Sequence, residues 1–494
     1  MDNYKTEIIT PQALDIITTT RAMGYTTESA VADIIDNSIA AGANRIEIFF
    51  PPEASYIKIS DDGCGMNYRE LIDAMRYGKN PEDERKTTDL GRFGLGLKTA
   101  SFSQCEKLTV ISKKNNIISG LRWDPLFLKN NHSAAWAAIV IPQAKATDYI
   151  SDSFLNCSPN GTMVIWENLS LMLAGESNPS QSLSLKMDSV RAHISLVFHR
   201  FLAGEDGLKK LTITINNKIL TPRDPFLKKK STRISQTQKI EVPELTNKSI
   251  TVEINKYLLP SPSKITTAER EMICGKTNNL ISTQGFYVYR NKRLLVWATW
   301  FKLAPKKNTS QLSRIQIDIP SSMDKLWSLD VKKSSAKPPE IIRKSLKSLI
   351  DYSMTKSKKT FQGKSSAETN PEYSHFWNRI INPDESISFS LNKENPMIVE
   401  FSDKLSGKEQ KSFSQILYFI EQFIPINTML VDMEEERELH FDDDERIKEE
   451  VEKKATDLLD ITEDRKIIDI LEKSEPFVKY PEIITKLLKE RNLI

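Results

Sequence analysis

Apolar residues recur with helical spacing over 11–23 (PQALDIITTTRAM) and again over 27–41 (TESAVADIIDNSIAA), which predicts two short helices closed by Gly24 and Gly42. A threonine N-cap and an acidic first turn support the second of these. Period-two alternation then marks RIEIFF at 45–50, YIKIS at 56–60, KLTVIS at 107–112 and TMVIWEN at 162–168 as strands. From about residue 208 the runs LTITINNKIL, TVEINKYLL, GFYVYRNKRLLV and RIQIDIP alternate between polar turns, which predicts a second sheet, followed by a helix over Glu340–Tyr352. Residues 355–369 are polar and rich in Lys and Ser, the composition of a linker. Beyond them 370–404 looks mixed and 405–494 mainly helical with dense charge.

This pattern divides the 494 residues into domains at 1–205, 206–354 and 370–494, with 355–369 between the last two. Composition is that of an ordinary globular protein, and a net charge of +3 argues neither for nor against nucleic acid. Basic stretches in 207–230 and 332–364 give modest support for duplex DNA, and Glu434–Glu450 is strongly acidic. No apolar run reaches the roughly 20 residues that span a bilayer, so no membrane partner is expected. Cys64, Cys105, Cys157 and Cys274 form no CxxC pair, and MDNYKTEIITPQ lacks the features of a secretory signal; both point to a reduced, cytoplasmic setting. The five histidines show no metal-ligand spacing.

Three elements carry candidate chemistry. Asp33 and Asn37 lie four apart on the second helix and so share a face, where an acid can position water and a carboxamide can ligate a hard cation such as Mg2+. Asp36, beside them in sequence, is expected to point elsewhere. Asp61-Asp62-Gly63-Cys64-Gly65-Met66 puts a carboxylate at a strand end, followed by glycines that free the backbone. Gly91-Arg92-Phe93-Gly94-Leu95-Gly96-Leu97-Lys98 is a glycine-rich loop entering a helix; its amides and Lys98 suit phosphate oxygens. It is neither a Walker loop nor a dinucleotide fingerprint.

The order and spacing of these elements, with Gly161-Thr162 as a fourth, resemble the GHKL ATPases, a superfamily that includes gyrase B, MutL, heat-shock chaperones, histidine kinases and MORC proteins. GRFGLGLKTAS is closest to the MORC form. The resemblance implies an α+β chain: an N-terminal GHKL (Bergerat) sandwich, a transducer-like α/β domain and a mainly helical C-terminal region. It assigns Asn37 to Mg2+ and Asp61 to the adenine amine of ATP. Gly65 and Met66 would lie at the base, Gly94, Leu95, Gly96, Leu97 and Lys98 in the lid over the phosphates, and Thr162 beside Asp61. Hydrolytic relatives carry Glu where this chain has Asp33. An acid shorter by one methylene implies slow turnover, and ATP binding without hydrolysis stays open as a sensor function.

In relatives with a second sheet domain, a basic residue reaches the γ-phosphate; LWSLDVKKSSAKPP offers Lys333 first and Lys332 second. The resemblance also implies ATP-dependent homodimerisation through residues 1–25, clamping DNA or a DNA-associated partner in genome maintenance or in defence against foreign DNA. The alternative is a chaperone-like clamp on a protein client. Arg290, Lys292 and Arg293 fall in a hairpin turn, where they can touch nucleic-acid phosphates or serve solubility. Residues 370–494 show no catalytic module, which implies a separate effector protein.

Overall fold

The computed structural model describes residues 12–21, 24–51, 53, 56–77, 96–130, 136–235, 237–243, 249–275, 279–324, 326–327, 338–361, 373–381, 387–425, 428–429, 444–461, 465–491 and 493. The chain is α+β, with an N-terminal sheet-and-helix domain, further sheets and a helical C-terminal region.

The first sheet is built from β1 (Arg45–Phe49), β2 (Tyr56–Asp61), β3 (Lys107–Lys114), β4 (Ile117–Trp123), β5 (Ile139–Ile141), β6 (Gly161–Glu167), β7 (Thr212–Ile215) and β8 (Lys218–Ile219). Their spatial order is β5-β4-β3-β6-β2-β1-β7-β8. Strand periodicity decides what each face buries. Leu108 and Val110 of β3 and Val164 and Trp166 of β6 join the main core, whereas Ile111, Met163 and Ile165 join a smaller cluster on the other side. The main core is roofed by α1 (Ala13–Arg21), α2 (Thr27–Ala40), α4 (Gly96–Phe102) and α7 (Pro179–Val197), while α3 (Tyr68–Met75) packs against β4. The smaller cluster is covered by α6 (Gln143–Ile150); α5 (Pro125–Asn130) and α8 (His199–Ala203) complete the domain's helices among the described residues.

The run LTITINNKIL, expected in the second sheet, instead extends the first: β7 pairs in parallel with β1, Ile46 opposite Ile213. Ile213 and Ile215 are fully buried there. Alternation identifies a strand but not its sheet, because pairing is a long-range contact.

The second sheet has the order β10-β11-β14-β12-β13, from β10 (Gln238–Pro243), β11 (Ser249–Leu258), β12 (Gly285–Arg290), β13 (Arg293–Thr299) and β14 (Ser313–Ile319), with β9 (Thr232–Arg233) on β11. α9 (Thr267–Cys274) lies between β11 and β12 in the chain, and α10 (Glu340–Phe361) covers one face, burying Ile342, Leu346, Leu349 and Ile350 against the strands. Helix α10 runs nine residues past the expected end at Tyr352 and takes in 355–361 of the expected linker. Two of its serines, Ser353 and Ser357, are buried, and Ser357 Oγ accepts from the Leu312 amide at 3.3 Å. The remaining linker residues, 362–369, lie outside the described residues.

Tyr287 and Tyr289 of β12 and Leu294 of β13 belong to the core of the first domain, so the two sheets share packed surface through α7 and α8. In the C-terminal region β15 (Trp377–Ile381) pairs antiparallel with β16 (Ile387–Leu391). α11 (Pro396–Asp403) and α12 (Gly407–Gln422) follow, and helices Asp444–Ile461, Arg465–Lys473 and Pro481–Glu490 form a core of their own around Leu458, Leu471 and Leu488.

Candidate functional site

Helix α2 begins where Thr26, in extended backbone, accepts the Ser29 amide on its side chain. Every residue from Ala30 to Asp36 is buried, because α4, α7 and the sheet enclose the helix. Two carboxylates are therefore taken out of water with it, Asp33 at 3% exposure and Asp36 at 0%. Buried charge requires partners. Tyr25 donates to Asp33 Oδ2 at 3.1 Å, and the Arg293 guanidinium lies 3.0 Å from Asp36 Oδ1 and 3.8 Å from Asp33 Oδ1. Asp36 thus does not point away from Asp33. The two are three apart, neighbours on one helical face, and converge on a single arginine. Asn37 is the exposed polar group at this end of the helix, set one turn beyond Asp33. One side-chain oxygen open to solvent fits Mg2+, which keeps waters and substrate phosphates as most of its ligands. Among the described residues no group of three or more His, Cys, Asp or Glu side chains could hold a metal ion.

Asp61 closes β2 and is aimed by three donors: Ser38 Oγ at 2.8 Å, the Gly63 amide at 2.9 Å, and the Thr162 backbone of the facing strand β6. Burial raises its pKa to about 6, against the opposing pull of these hydrogen bonds. Asp62 has a different task. Its Oδ1 accepts the amides of Asn44 and Arg45 at 2.7 and 2.8 Å, pinning the turn between α2 and β1. Gly65 has φ +62°, and a Cβ there would stand 1.9 Å from the Lys113 carbonyl. The missing side chain of Gly65 therefore serves close packing on β3.

Ser112, buried at the heart of β3, ties the rest together. It accepts the Met66 amide at 2.8 Å and lies 2.9 Å from Thr162 Oγ1. Thr162 in turn pairs with Asp61 across the β2–β6 ladder. Neither Ser38 nor Ser112 carries a sequence signal beyond a small hydroxyl residue in an apolar run.

Gly96 and Leu97 open α4, half-buried, and a Cβ on Gly96 would come 3.8 Å from Asp33 Oδ2. Lys98 is 2% exposed and its Nζ donates to the Ala74 carbonyl at 2.9 Å, so the amine braces α4 against the end of α3. That differs from an amine free to reach phosphates, and the cause is the burial of its stem between the two helices. Trp166 Nε1 anchors the same helix through Ser101 Oγ at 2.8 Å. Gly94 and Leu95 of the expected lid, and Lys332 and Lys333, lie outside the described residues.

The hairpin arginines are not surface groups. Arg290 and Arg293 are each 5% exposed; Arg290 pairs with Asp324 at 2.7 Å, and Lys292 lies 3.8 Å from Asp318. Neither arginine is presented to nucleic-acid phosphates. In the basic stretch 207–230, Lys228 pairs with Glu205 and Lys230 with Glu269. A cavity of about 410 Å³ opens between α3, β4 and β5, lined by Tyr68, Ile72, Trp123 and Trp136 among others, and by none of Asp33, Asn37, Asp61 or Thr162. No helix among the described residues is long and apolar enough to cross a membrane.

Residues 25–155 match a family described as "Histidine kinase-, DNA gyrase B-, and HSP90-like ATPase". ATPase morc-1 of Caenorhabditis elegans is 33% identical over 95 residues, 19% of this chain and 11% of that protein. ATPase MORC2B of Mus musculus is 31% identical over 97 residues, covering 19% and 10%. DNA mismatch repair protein MutL of Trichormus variabilis is 24% identical over 131 residues, covering 26% and 23%. The matched stretches thus span about a tenth to a quarter of these relatives' own lengths.

Proposed function

We propose that this chain, whose N-terminal domain belongs to the GHKL ATPases with MORC and MutL proteins among its relatives, is a slow, ATP-gated dimerising clamp acting on DNA or a DNA-associated partner. The observation that carries the nucleotide reading is Asp61: a buried carboxylate at a strand end, steered by Ser38, Gly63 and Thr162, is an acceptor for an exocyclic amine. Asn37, exposed one turn beyond Asp33, would hold Mg2+, which would neutralise phosphate charge. Asp33 would position the attacking water. Slow turnover is supported by its short side chain and by the Tyr25 hydroxyl already on one of its oxygens. Met66 and Gly65 would border the base, and Gly94, Leu95, Gly96 and Leu97 would close over the phosphates. Lys98 would assist only after leaving Ala74. Lys333, or Lys332, would bring a cation from the second domain to the γ-phosphate.

Closure then shifts the population toward a dimer, because the dimer-competent state binds ATP better. Calorimetric titration of ATP with Mg2+ tests the site. The wild type should bind and Asp61→Ala should lose binding while remaining folded; equal binding by both overturns the assignment. The chaperone-like alternative is separated by duplex DNA, whose affinity must fall steeply with salt if phosphates are contacted.

A further inference from the structure

We infer that Arg293, contributed by the second sheet, is a positioning residue of the ATP site: it holds Asp33 in place through a guanidinium shared with Asp36. This rests on the ATP reading above and adds a residue to it.

The hairpin fixes Arg293 from both sides. Asn291 and Lys292 both have positive φ, 46° and 70°, forming a two-residue turn that starts β13 at Arg293 with no slack. Across the ladder Arg290 is tied to Asp324, and one residue back Tyr289 OH meets His199 of α8 at 2.8 Å. The Arg293 guanidinium passes over the Phe198 ring at 5.5 Å before it reaches α2. There it meets Asp36 at 3.0 Å and Asp33 at 3.8 Å, with both carboxylates and the arginine almost wholly out of solvent. Two buried acids share this guanidinium, so its withdrawal takes a charge partner from each of them in a low-dielectric place.

Asp33 is also where three other parts of the molecule converge. Tyr25, just ahead of α2, donates to its Oδ2. Gly96, where the glycine-rich loop enters α4, lies beside that same oxygen. The second sheet reaches Oδ1 through Arg293. The seating of the second domain is therefore read directly by the carboxylate that would position water, without passing through Asn37 or Asp61. Loss of Arg293 should lower turnover and leave nucleotide affinity, set at those other residues, largely intact. Misplacing a reacting group by about 1 Å can cost about a hundredfold, so a ten- to hundredfold fall in kcat is expected.

The test measures ATP turnover and KM with Mg2+ for wild type, Arg293→Met, Arg293→Lys and the double variant Arg293→Met/Asp36→Asn. Expected is a fall in kcat of tenfold or more for Arg293→Met at a KM within about twofold of wild type. Lysine, a point charge lacking the guanidinium fork, should restore kcat only in part. Removing the Asp36 charge should return part of the lost thermal stability without returning kcat, because Asp33 still lacks the guanidinium beside its Oδ1. If Arg293→Met does not fold, the split between kcat and KM is read on Arg293→Lys, and no fall in its kcat refutes the proposal. An unchanged kcat in a folded Arg293→Met, or kcat recovering fully with stability in the double variant, overturns it and leaves the ATP reading standing. Absence of both ATP binding and turnover in the wild type sinks both.

Discussion

Replacing Gly65 with alanine separates two costs that a glycine can hide. Gly65 and Gly42 have similar left-handed backbones, φ +62° and +78°. An alanine at either position carries the left-handed penalty, about 1–2 kcal/mol. The surroundings differ. A Cβ on Gly42 meets nothing within 4 Å, whereas on Gly65 it would stand 1.9 Å from the Lys113 oxygen and 2.9 Å from its carbonyl carbon. That obstacle is backbone in β3, paired on both edges with β4 and β6, and cannot swing aside as a side chain would. Overpacking of this kind adds about 1–3 kcal/mol. Gly42→Ala should therefore lose about 1–2 kcal/mol and Gly65→Ala about 2–5. Urea unfolding followed by tryptophan fluorescence measures both, since Trp123 and Trp166 are buried in the same domain. Gly65→Ala should also weaken ATP binding, because the Met66 amide would be pushed off Ser112. Equal destabilisation by the two substitutions would refute the packing argument.

Three further outcomes follow from the same geometry. With the Asp61 pKa raised to about 6 by burial, ATP affinity should be flat above about pH 7 and fall about tenfold per unit below 6, as the carboxylate is protonated. Fluorescent-nucleotide displacement between pH 5 and 8 reads this, and Asp61→Asn should show no such step. The folding contribution of the same group has the opposite sense: a carboxyl whose pKa is raised on folding favours the native state increasingly as pH falls through about 6. Third, Arg290→Met breaks a buried pair with Asp324 and should cost about 3–5 kcal/mol in urea unfolding while leaving duplex DNA affinity unchanged by anisotropy. Weaker DNA binding at full stability would mean that Arg290 is available to phosphates after all.

Legibility followed the range of the interaction. Helix α2 was readable because its cap, first turn and apolar spacing are local, and β2 because its alternation ends on Asp61. The two serines that aim Asp61 and Met66 were not, since their roles arise only when α2, β2, β3 and β6 are brought together. The alternation of β7 and β8 reads as strand but does not tell which sheet they join, for the same reason. The fate of Arg290 and Arg293 is the sharpest case. A basic hairpin turn reads as solvated, and only tertiary contacts turn both guanidinium groups inward, Arg290 onto Asp324 and Arg293 past Phe198 onto the two acids of α2. Helix α10 outran its expected end because lysine and serine tolerate helix, and the docking of Ser357 on Leu312 is tertiary.

The most direct test of the account is ATP turnover with Mg2+, run beside mass by light scattering, for wild type, Asp33→Asn and Asn37→Ala. Slow hydrolysis is expected of the wild type, ATP binding without turnover and accumulation of a dimer for Asp33→Asn, and loss of binding for Asn37→Ala. ATP bound by none of the three proteins, or hydrolysed by Asp33→Asn at the wild-type rate, would contradict it.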